Sequence, residues 1–342
     1  MDILPFMQNV YCMNEVERRK LRFLYQQSGI KQRYSVVSDY SRPIHEWKFY
    51  PQSENLEPFP NLEQRMAVFN KQAPLLSVDA IRDCLGGVMH EHEITHLITV
   101  SCTGLSAPGL DLQVVELLEL NKNIVRTSVN FMGCYAAIHA LKLADAFCKA
   151  DSQAKVLVVC TELCTLHFQQ EKTMDSMTSS LLFGDGSAAV LVTSDETDFA
   201  GLQLENFYAE VVPKGKRDMA WELSSTGFVM TLSGYVPDLI EEDFAAIVER
   251  GLQKTNRTSN DIQGWCIHPG GKRILEAIQK SMGISAGALA SSYQVLEEYG
   301  NMSSATILFV LKKLMQEKSN SSVFGAAFGP GLTIETFTAT AV

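Results

Sequence analysis

The chain has 342 residues, of which 46% are hydrophobic and 20% are charged, and its formal net charge is −10. This length and apolar content predict a globular protein with a large core, built as two domains or as two halves of one fold. The negative charge argues against nonspecific binding to nucleic acid or to anionic membranes, although one basic stretch, ERRKLRF, lies near the N-terminus.

Several sequence features indicate an untargeted cytoplasmic protein. The N-terminus lacks a basic region followed by an apolar one, and every apolar run ends well before about 18 residues. The eight cysteines form no CxxC pair, so we expect free thiols in a reducing compartment rather than disulfides.

Strands and helices alternate through the first half of the chain. Apolar, β-branched runs predict strands at residues 96–104, 155–163 and 187–193, and periodic apolar residues predict helices at 110–121 and 134–147. This alternation is typical of an α/β protein.

The second half of the chain repeats this alternation of strands and helices. It predicts a strand at residues 264–271, helices at 272–283 and 300–316, and a terminal strand pair around the turn Gly329 to Gly331. Each half contains a strand that ends in a polar motif and a helix that opens after a glycine. We therefore predict a duplicated α/β fold, with an N-terminal half at residues 1–198 and a C-terminal half at 199–342.

Such a duplication brings Cys134, His268 and Asn301 towards one place, since each lies at the end of an element. A helix N-terminus and a neighbouring imidazolium lower the pKa of a thiol, and Asn and His together supply two donors for a developing oxyanion. These groups suit acyl transfer through an enzyme thioester. Taken singly, each residue also fits a structural role, as a packed core thiol or in turn chemistry.

At these residues the sequence resembles the type III polyketide synthases, the chalcone and stilbene synthase family. The resemblance runs from about Tyr11 to the C-terminus and is carried by WCIHPGGKRILEAI, LEEYGNMSSATILFVLKKL, LLFGDGSAAVLV, VLVVCTEL and FGPGLTIET. It implies a thiolase-like fold with α/β/α/β/α layers, a homodimer, and acyl-CoA and malonyl-CoA as substrates. It implies no acyl carrier protein, no metal and no further cofactor.

The resemblance also implies roles for individual residues. Cys134 takes the starter acyl group from CoA, and His268 and Asn301 hold the malonyl thioester carbonyl during loss of CO2. Phe183 matches an aromatic gatekeeper between the CoA tunnel and the cavity. Gly329, Pro330 and Gly331 form an active-site loop, for which a plain hairpin turn is the alternative.

The sequence departs from the family at the CoA-binding helix and at the N-terminus. Lys20 matches one basic CoA-binding position, but the other two align with Phe23 and Gln27, and the candidate substitutes are Arg22, Arg19 and Lys31. The first strand of the family is also missing, so we expect the reading frame to extend upstream with an apolar strand.

Other departures lie in the pocket. Met230 replaces a second gatekeeper phenylalanine, and Ala107 replaces a methionine that crosses the dimer interface. We expect the bulky side chains of Trp221 and His167 to reduce the volume of the active-site cavity. A smaller cavity predicts a short product, such as a pyrone or resorcinol from an aliphatic or small aromatic starter. The remaining pocket candidates are Cys102, Thr103 and Ser303.

The segment HEITH, residues 92–96, fits the H-E-x-x-H pattern of zinc peptidases. That chemistry needs both histidines on one helix face, and this segment runs into a β-branched strand, where residues four apart are separated by about 13 Å. We therefore predict a loop that leads into a strand, and no metal site.

Three rival functions remain open on the sequence. A ketoacyl synthase III shares Cys-His-Asn but has His-Gln-Ala-Asn where this chain has HPGG. A thiolase needs a second cysteine late in the chain, and no cysteine follows Cys266. A non-catalytic, degenerate homologue is the third, and selective alkylation of Cys134 with loss of activity would exclude it.

Overall fold

The computed structural model describes residues 3–194, 201–317 and 321–342, so the predicted boundary between residues 198 and 199 lies outside the described residues. These residues form two four-stranded sheets, a two-stranded hairpin and ten α-helices. No described helix is long and apolar enough to cross a membrane. The helices are α1 (Leu4–Tyr11), α2 (Glu15–Gln27), α3 (Leu62–Leu85), α4 (Leu110–Leu117), α5 (Ala136–Ala150), α6 (Met174–Leu182), α7 (Val236–Leu252), α8 (Lys272–Met282), α9 (Ala290–Tyr299) and α10 (Thr306–Gln316). The strands are β1 (His96–Ser101), β2 (Val125–Asn130), β3 (Lys155–Leu163), β4 (Asp185–Thr193), β5 (Leu202–Val211), β6 (Met219–Ser224), β7 (Gly227–Leu232), β8 (Gly264–Ile267), β9 (Ser322–Gly329) and β10 (Thr333–Ala341).

The two large sheets share a topology. The first has the order β2-β1-β3-β4, and the second has the order β5-β10-β9-β8. In each sheet parallel strands, β1 beside β3 or β8 beside β9, are followed by an antiparallel last strand, β4 or β10. The duplication predicted from the sequence is therefore confirmed.

The elements stack in five layers. Helices α5 and α10 lie between the two sheets, and their apolar faces share one buried cluster with strands of both sheets. A second cluster lies between the first sheet and α3 and α4, and a third between the second sheet and α7 and α8. The arrangement is the predicted α/β/α/β/α, with the two sheets joined through their central helices.

The edges of the two sheets differ. Within the described residues β4 pairs with β3 alone, whereas its counterpart β10 is flanked by both β9 and β5. Strand β2 is also an edge strand, and most of its side chains are exposed. Within the described residues β2 pairs with β1 alone, so its outer edge can pair with another strand.

Two helix starts differ from the sequence prediction. Helix α5 begins at Ala136, two residues after Cys134, and α10 begins at Thr306 rather than near residue 300. Asn301 instead forms a parallel bridge with Phe183, and Ser303 adopts a left-handed φ of 48°. A helix from residue 300 is excluded because the backbone of Asn301 is used for contacts with the other half.

Gly325 on β9 faces Phe337 on β10, and a Cβ at this position would overlap the Phe337 ring. We predict that Gly325→Ala lowers the free energy of unfolding by about 1–3 kcal/mol or more through overpacking. The control is Gly234→Ala, because a Cβ there meets nothing within 4 Å. Urea denaturation measures both, and equal stabilities would contradict the prediction.

Candidate active site

A cavity of about 890 Å³, which includes space open to solvent, lies where the two halves meet. Its lining is mainly apolar and includes the candidate nucleophile and the seven gatekeeper and pocket candidates, but Ala107, His268 and Asn301 are not among the lining residues. These lining residues are Cys134, Phe183, Met230, Trp221, His167, Cys102, Thr103 and Ser303. The cavity also contains Pro330, so the predicted active-site loop reaches it.

Cys134 lies in the turn that leads into α5. Its Sγ is 3.7 Å from the Ser303 hydroxyl and 3.9 Å from Asn301 Oδ1. The preceding residue, Gly133, has a φ of 81°, and a Cβ there would overlap the Pro330 ring. The glycine is therefore needed both for its left-handed backbone and for the close approach of Pro330 to the nucleophile.

The electrostatics of Cys134 differ from the sequence prediction. Burial raises the pKa of the thiol to about 12, and the nearby Glu162 carboxylate also raises it, while contacts with Ser303 and Asn301 lower it. The prediction that a helix N-terminus and an imidazolium lower the pKa of the Cys134 thiol is therefore wrong. The helix starts two residues later, and the desolvation of the thiolate outweighs the hydrogen bonds.

Hydrogen bonds at both ends of the amide orient the Asn301 side chain. Its Oδ1 accepts a hydrogen bond of 2.8 Å from the backbone N–H of Ser303, while Nδ2 lies 3.5 Å from the Gly270 carbonyl. Its backbone donates to Leu182 O at 3.0 Å and accepts from Gly184 N at 2.9 Å. The segment around Phe183 and the asparagine therefore fix each other across the two halves.

His268 follows β8 and is 1% exposed. Within the described residues neither ring nitrogen has a hydrogen-bond partner. Burial lowers the pKa of the imidazole to about 3, so the ring is neutral near pH 7 and cannot supply the imidazolium that the sequence analysis assumed. The contact between Asn301 and Gly270 keeps the loop that carries His268 beside the asparagine.

A buried carboxylate, Glu162, joins the two halves and was not identified from the sequence. Its Oε2 accepts from the Cys102 backbone at 2.9 Å and from the Thr103 hydroxyl at 2.8 Å. Its Oε1 accepts from the Ser304 hydroxyl at 2.5 Å. The sequence did contain a signal for this residue, which is a single acidic side chain at the end of an apolar strand. An acidic group is buried in such a place only where hydrogen-bond donors surround it.

The two bulky residues predicted in the pocket, Trp221 and His167, form one wall together with Phe228, which the sequence analysis did not identify. We call this wall the floor. Trp221 donates to the Cys102 carbonyl at 2.8 Å, and the His167 ring stacks on Phe228 with centroids 4.1 Å apart. His167 bonds the Thr103 carbonyl through Nε2 at 2.7 Å and accepts from the Phe228 N–H at 3.0 Å. Both ring nitrogens are satisfied, so the floor is a rigid structural wall.

The predicted gatekeepers lie on different elements. Phe183 follows α6, and Met230 is on β7, directly opposite Trp221 of β6. Both line the cavity. The β6–β7 hairpin therefore carries one gatekeeper and part of the floor, so a shift of this hairpin would change both together.

The structure places the candidate CoA-binding cations outside the cavity wall. Lys20 and Arg22 are exposed on α2, and the Lys31 ammonium is paired with the Glu297 carboxylate. The basic residue that does line the cavity is Arg33, which donates to the Phe183 carbonyl at 3.0 Å. The sequence analysis did not identify Arg33, because it considered the basic residues on and directly after the first helices, whereas Arg33 lies further along the segment that follows α2.

The H-E-x-x-H segment has the predicted conformation. Residues 91–93 form a 3-10 turn, and β1 begins at His96. Its Glu93 pairs with Lys155 at 2.8 Å. Within the part of the chain that the structure describes, no group of three or more His, Cys, Asp or Glu side chains is placed to hold a metal ion.

The buried His167 gives a prediction for stability against pH. Burial lowers its folded pKa to about 3 from an ordinary 6.5, so below about pH 6.5 the unfolded chain binds a proton that the folded chain does not. The stability advantage of the wild type over His167→Gln should therefore shrink by about 2 kcal/mol between pH 6.5 and pH 5.

Urea denaturation of both proteins across this range tests the prediction. Asp185, whose pKa burial raises to about 6, changes stability in the opposite sense, but it contributes to both proteins and cancels in the difference. A difference that stays constant with pH would show that His167 does not stay neutral in the folded protein.

Comparisons with known proteins agree with this geometry. The model of the chalcone and stilbene synthase N-terminal domain matches residues 4–196, and that of the C-terminal domain matches residues 203–342. The alpha-pyrone synthesis polyketide synthase-like Pks18 of Mycobacterium tuberculosis is 31% identical over 328 residues, which cover 93% of this chain and 81% of Pks18. A putative chalcone synthase of Bacillus subtilis is 30% identical over 92% of this chain and 90% of its own length.

Longer relatives and solved structures give the same result. The probable polyketide synthase 1 of Dictyostelium discoideum is 34% identical over 92% of this chain, which spans only 10% of that protein. The crystal structure of PKS-I from the brown alga Ectocarpus siliculosus superposes with a TM-score of 0.92 at 27% identity, covering 100% of this chain and 93% of the other. The C-terminal type III polyketide synthase domain of Steely1 from Dictyostelium gives a TM-score of 0.89 at 30% identity, covering 100% and 94%. The chain therefore belongs to the chalcone and stilbene synthase family and is a type III polyketide synthase with the thiolase-like fold.

Proposed function

We propose that this enzyme condenses an acyl-CoA starter with malonyl-CoA by decarboxylative condensation through a thioester on Cys134. The observation that supports this most directly is the meeting of Cys134 from one half with Asn301 from the other, 3.9 Å apart beside a buried cavity. A nucleophile and a separate donor at one site suit acyl transfer followed by carbon–carbon bond formation.

In the first step the Cys134 sulfur attacks the thioester carbonyl of the starter, and CoA leaves as its thiol. Because burial keeps the Cys134 thiol protonated, a base must take its proton, and His268 is a neutral imidazole with unpartnered ring nitrogens. Its proton is then available to the departing CoA sulfur. The acyl group remains on Cys134.

In the second step malonyl-CoA loses CO2, and the electron pair left behind forms an enolate. The Asn301 amide N–H that is not bonded to Gly270 and a ring N–H of His268 donate to the enolate oxygen, and these donors stabilise its negative charge. The enolate carbon attacks the acyl thioester, and the Cys134 thiolate leaves. We propose that CoA thioesters suffice and that no metal or further cofactor takes part.

We propose an α-pyrone or resorcinol as the product, with few rounds of extension. The relative named for alpha-pyrone synthesis supports this at 31% identity. The second support is the floor, where Trp221 and His167 are held by hydrogen bonds and occupy space that a growing chain would need. A chalcone from a large aromatic starter is disfavoured for the same reason.

We further propose a homodimer in the cytoplasm. Strand β2 is a mostly exposed edge strand, and a two-fold axis beside it would join the first sheets of two copies through backbone hydrogen bonds. All eight cysteines are free thiols, which suits a reducing compartment. Sedimentation analysis tests the dimer directly.

The separation of nucleophile and donors gives a first test. We predict that Cys134→Ala reduces polyketide formation to background while malonyl-CoA decarboxylation remains measurable, because Asn301 and His268 are unchanged. Product analysis and release of labelled CO2 measure the two reactions. The control is Cys148→Ala, a buried thiol on α5 that does not line the cavity and should leave both unchanged. Full product from Cys134→Ala would disprove the covalent mechanism.

The floor gives a second test. We predict that Trp221→Gly shifts the product towards longer polyketides and raises turnover of p-coumaroyl-CoA by about tenfold, since it removes the indole from the cavity. The measurement is product analysis after a panel of acyl-CoA starters is incubated with malonyl-CoA. Efficient chalcone formation by the wild type would refute the argument from cavity size.

A further inference from the structure

A polar cluster outside the cavity connects the two halves, and we call it the Glu335 cluster: Glu335, Lys142 and His139. Glu335 lies on β10 in the second half, whereas Lys142 and His139 lie on α5 in the first. The Lys142 ammonium donates to Glu335 Oε2 at 2.6 Å, and His139 Nδ1 lies 3.6 Å from Glu335 Oε1. None of the three residues lines the cavity or takes part in the chemistry proposed above.

The Glu335 carboxylate is buried at a position where a charge is costly. The residue is 4% exposed, and the residues directly beside it in the sheet are Ala209 on β5 and Ala327 on β9. Apolar side chains in place of such an ion pair are often equally stable, because a buried carboxylate must leave water. Stability alone therefore does not account for the pair. A buried pair can instead select one arrangement of the two elements that it joins.

The face of α5 that carries the cluster continues back to the nucleophile. Tyr135, His139 and Lys142 are spaced by four and three residues, so they lie on one side of the helix. Tyr135 directly follows Cys134, and its ring lies against the backbone of Gly329, where a Cβ would be 2.5 Å from the ring. The second half therefore contacts this side of α5 at two points about 10 Å apart, and one of them is beside the reactive sulfur.

Two such points fix α5 against rotation about its axis and against sliding along β10. If the point at Glu335 is lost, only the contact at Tyr135 remains, and the helix can turn about it. A displacement of the Cys134 sulfur by 1 Å from its reacting partner would cost about a hundredfold in rate. The donors on Asn301 and His268 would not move with α5, since both belong to the second half.

We propose that Glu335 is a positioning residue for carbon–carbon bond formation, which holds the Cys134 thioester at the correct distance from the enolate through its ion pair with Lys142. This inference rests on the proposed function. Loss of CO2 from malonyl-CoA needs the donors of the second half, whereas condensation also needs the acyl group on Cys134. Breaking the ion pair therefore lowers the rate of condensation and leaves decarboxylation unchanged.

The experiment compares Lys142→Met, Lys142→Arg and Glu335→Gln with the wild type. Product formation from hexanoyl-CoA and malonyl-CoA is measured beside the release of labelled CO2 from malonyl-CoA alone. In Lys142→Met and Glu335→Gln we expect kcat for product formation to fall about tenfold, while KM for malonyl-CoA and the rate of CO2 release stay within about twofold. Lys142→Arg keeps the positive charge and should retain the wild-type kcat.

The matched control is Glu205→Gln. Glu205 on β5 pairs with Arg257 at 2.5 Å, and both partners belong to the second half and are 25% exposed. This variant should lower the melting temperature without changing kcat.

Three outcomes would overturn the proposal: an unchanged kcat in Lys142→Met, an equal fall in its release of CO2, or the same fall in kcat in Glu205→Gln. The Lys142 variants keep the test decisive even if Glu335→Gln does not fold, because the Lys142 side chain is 33% exposed. Failure of the proposed function is distinct, because the wild type would then make no product from any acyl-CoA starter.

Discussion

The buried carboxylate of Glu162 is the interaction on which the active site depends. It is fully buried, and it accepts hydrogen bonds from Cys102 and Thr103 of the first half and from Ser304 of the second. Burial raises its pKa, and the hydrogen bonds from these donors oppose that rise. Removing one donor would leave a buried carboxyl oxygen without its hydrogen bond, which costs about 1–3 kcal/mol.

A duplicated fold needs such a contact between its halves, because its reacting groups come from different halves. The reciprocal backbone hydrogen bonds between Asn301 and the segment around Phe183 form a second contact between the halves. Together they fix the distance between the Cys134 sulfur and the amide donor. A displacement of 1 Å in such a geometry costs about a hundredfold in rate, so stability of the interface and catalysis are linked.

Much of this arrangement could be predicted from the sequence, and the failures have physical causes. The strands and the convergence of Cys134 and Asn301 followed from apolar periodicity and internal repetition, which local residues encode. The prediction of a lowered pKa for the Cys134 thiol was wrong, because desolvation depends on what the fold packs around the sulfur. The start of α10 was misplaced for a similar reason: the backbone of Asn301 bonds to Leu182 and Gly184, more than 100 residues away.

The floor of the cavity is bonded to the same loop that Glu162 holds, and this connection bears on specificity. The floor is fixed by hydrogen bonds from Trp221 and His167 to the loop after β1, so changing either side chain exposes unsatisfied backbone groups. A substitution that enlarges the space for the product therefore also disturbs Cys102 and Thr103, the residues through which Glu162 holds the first half at the active site.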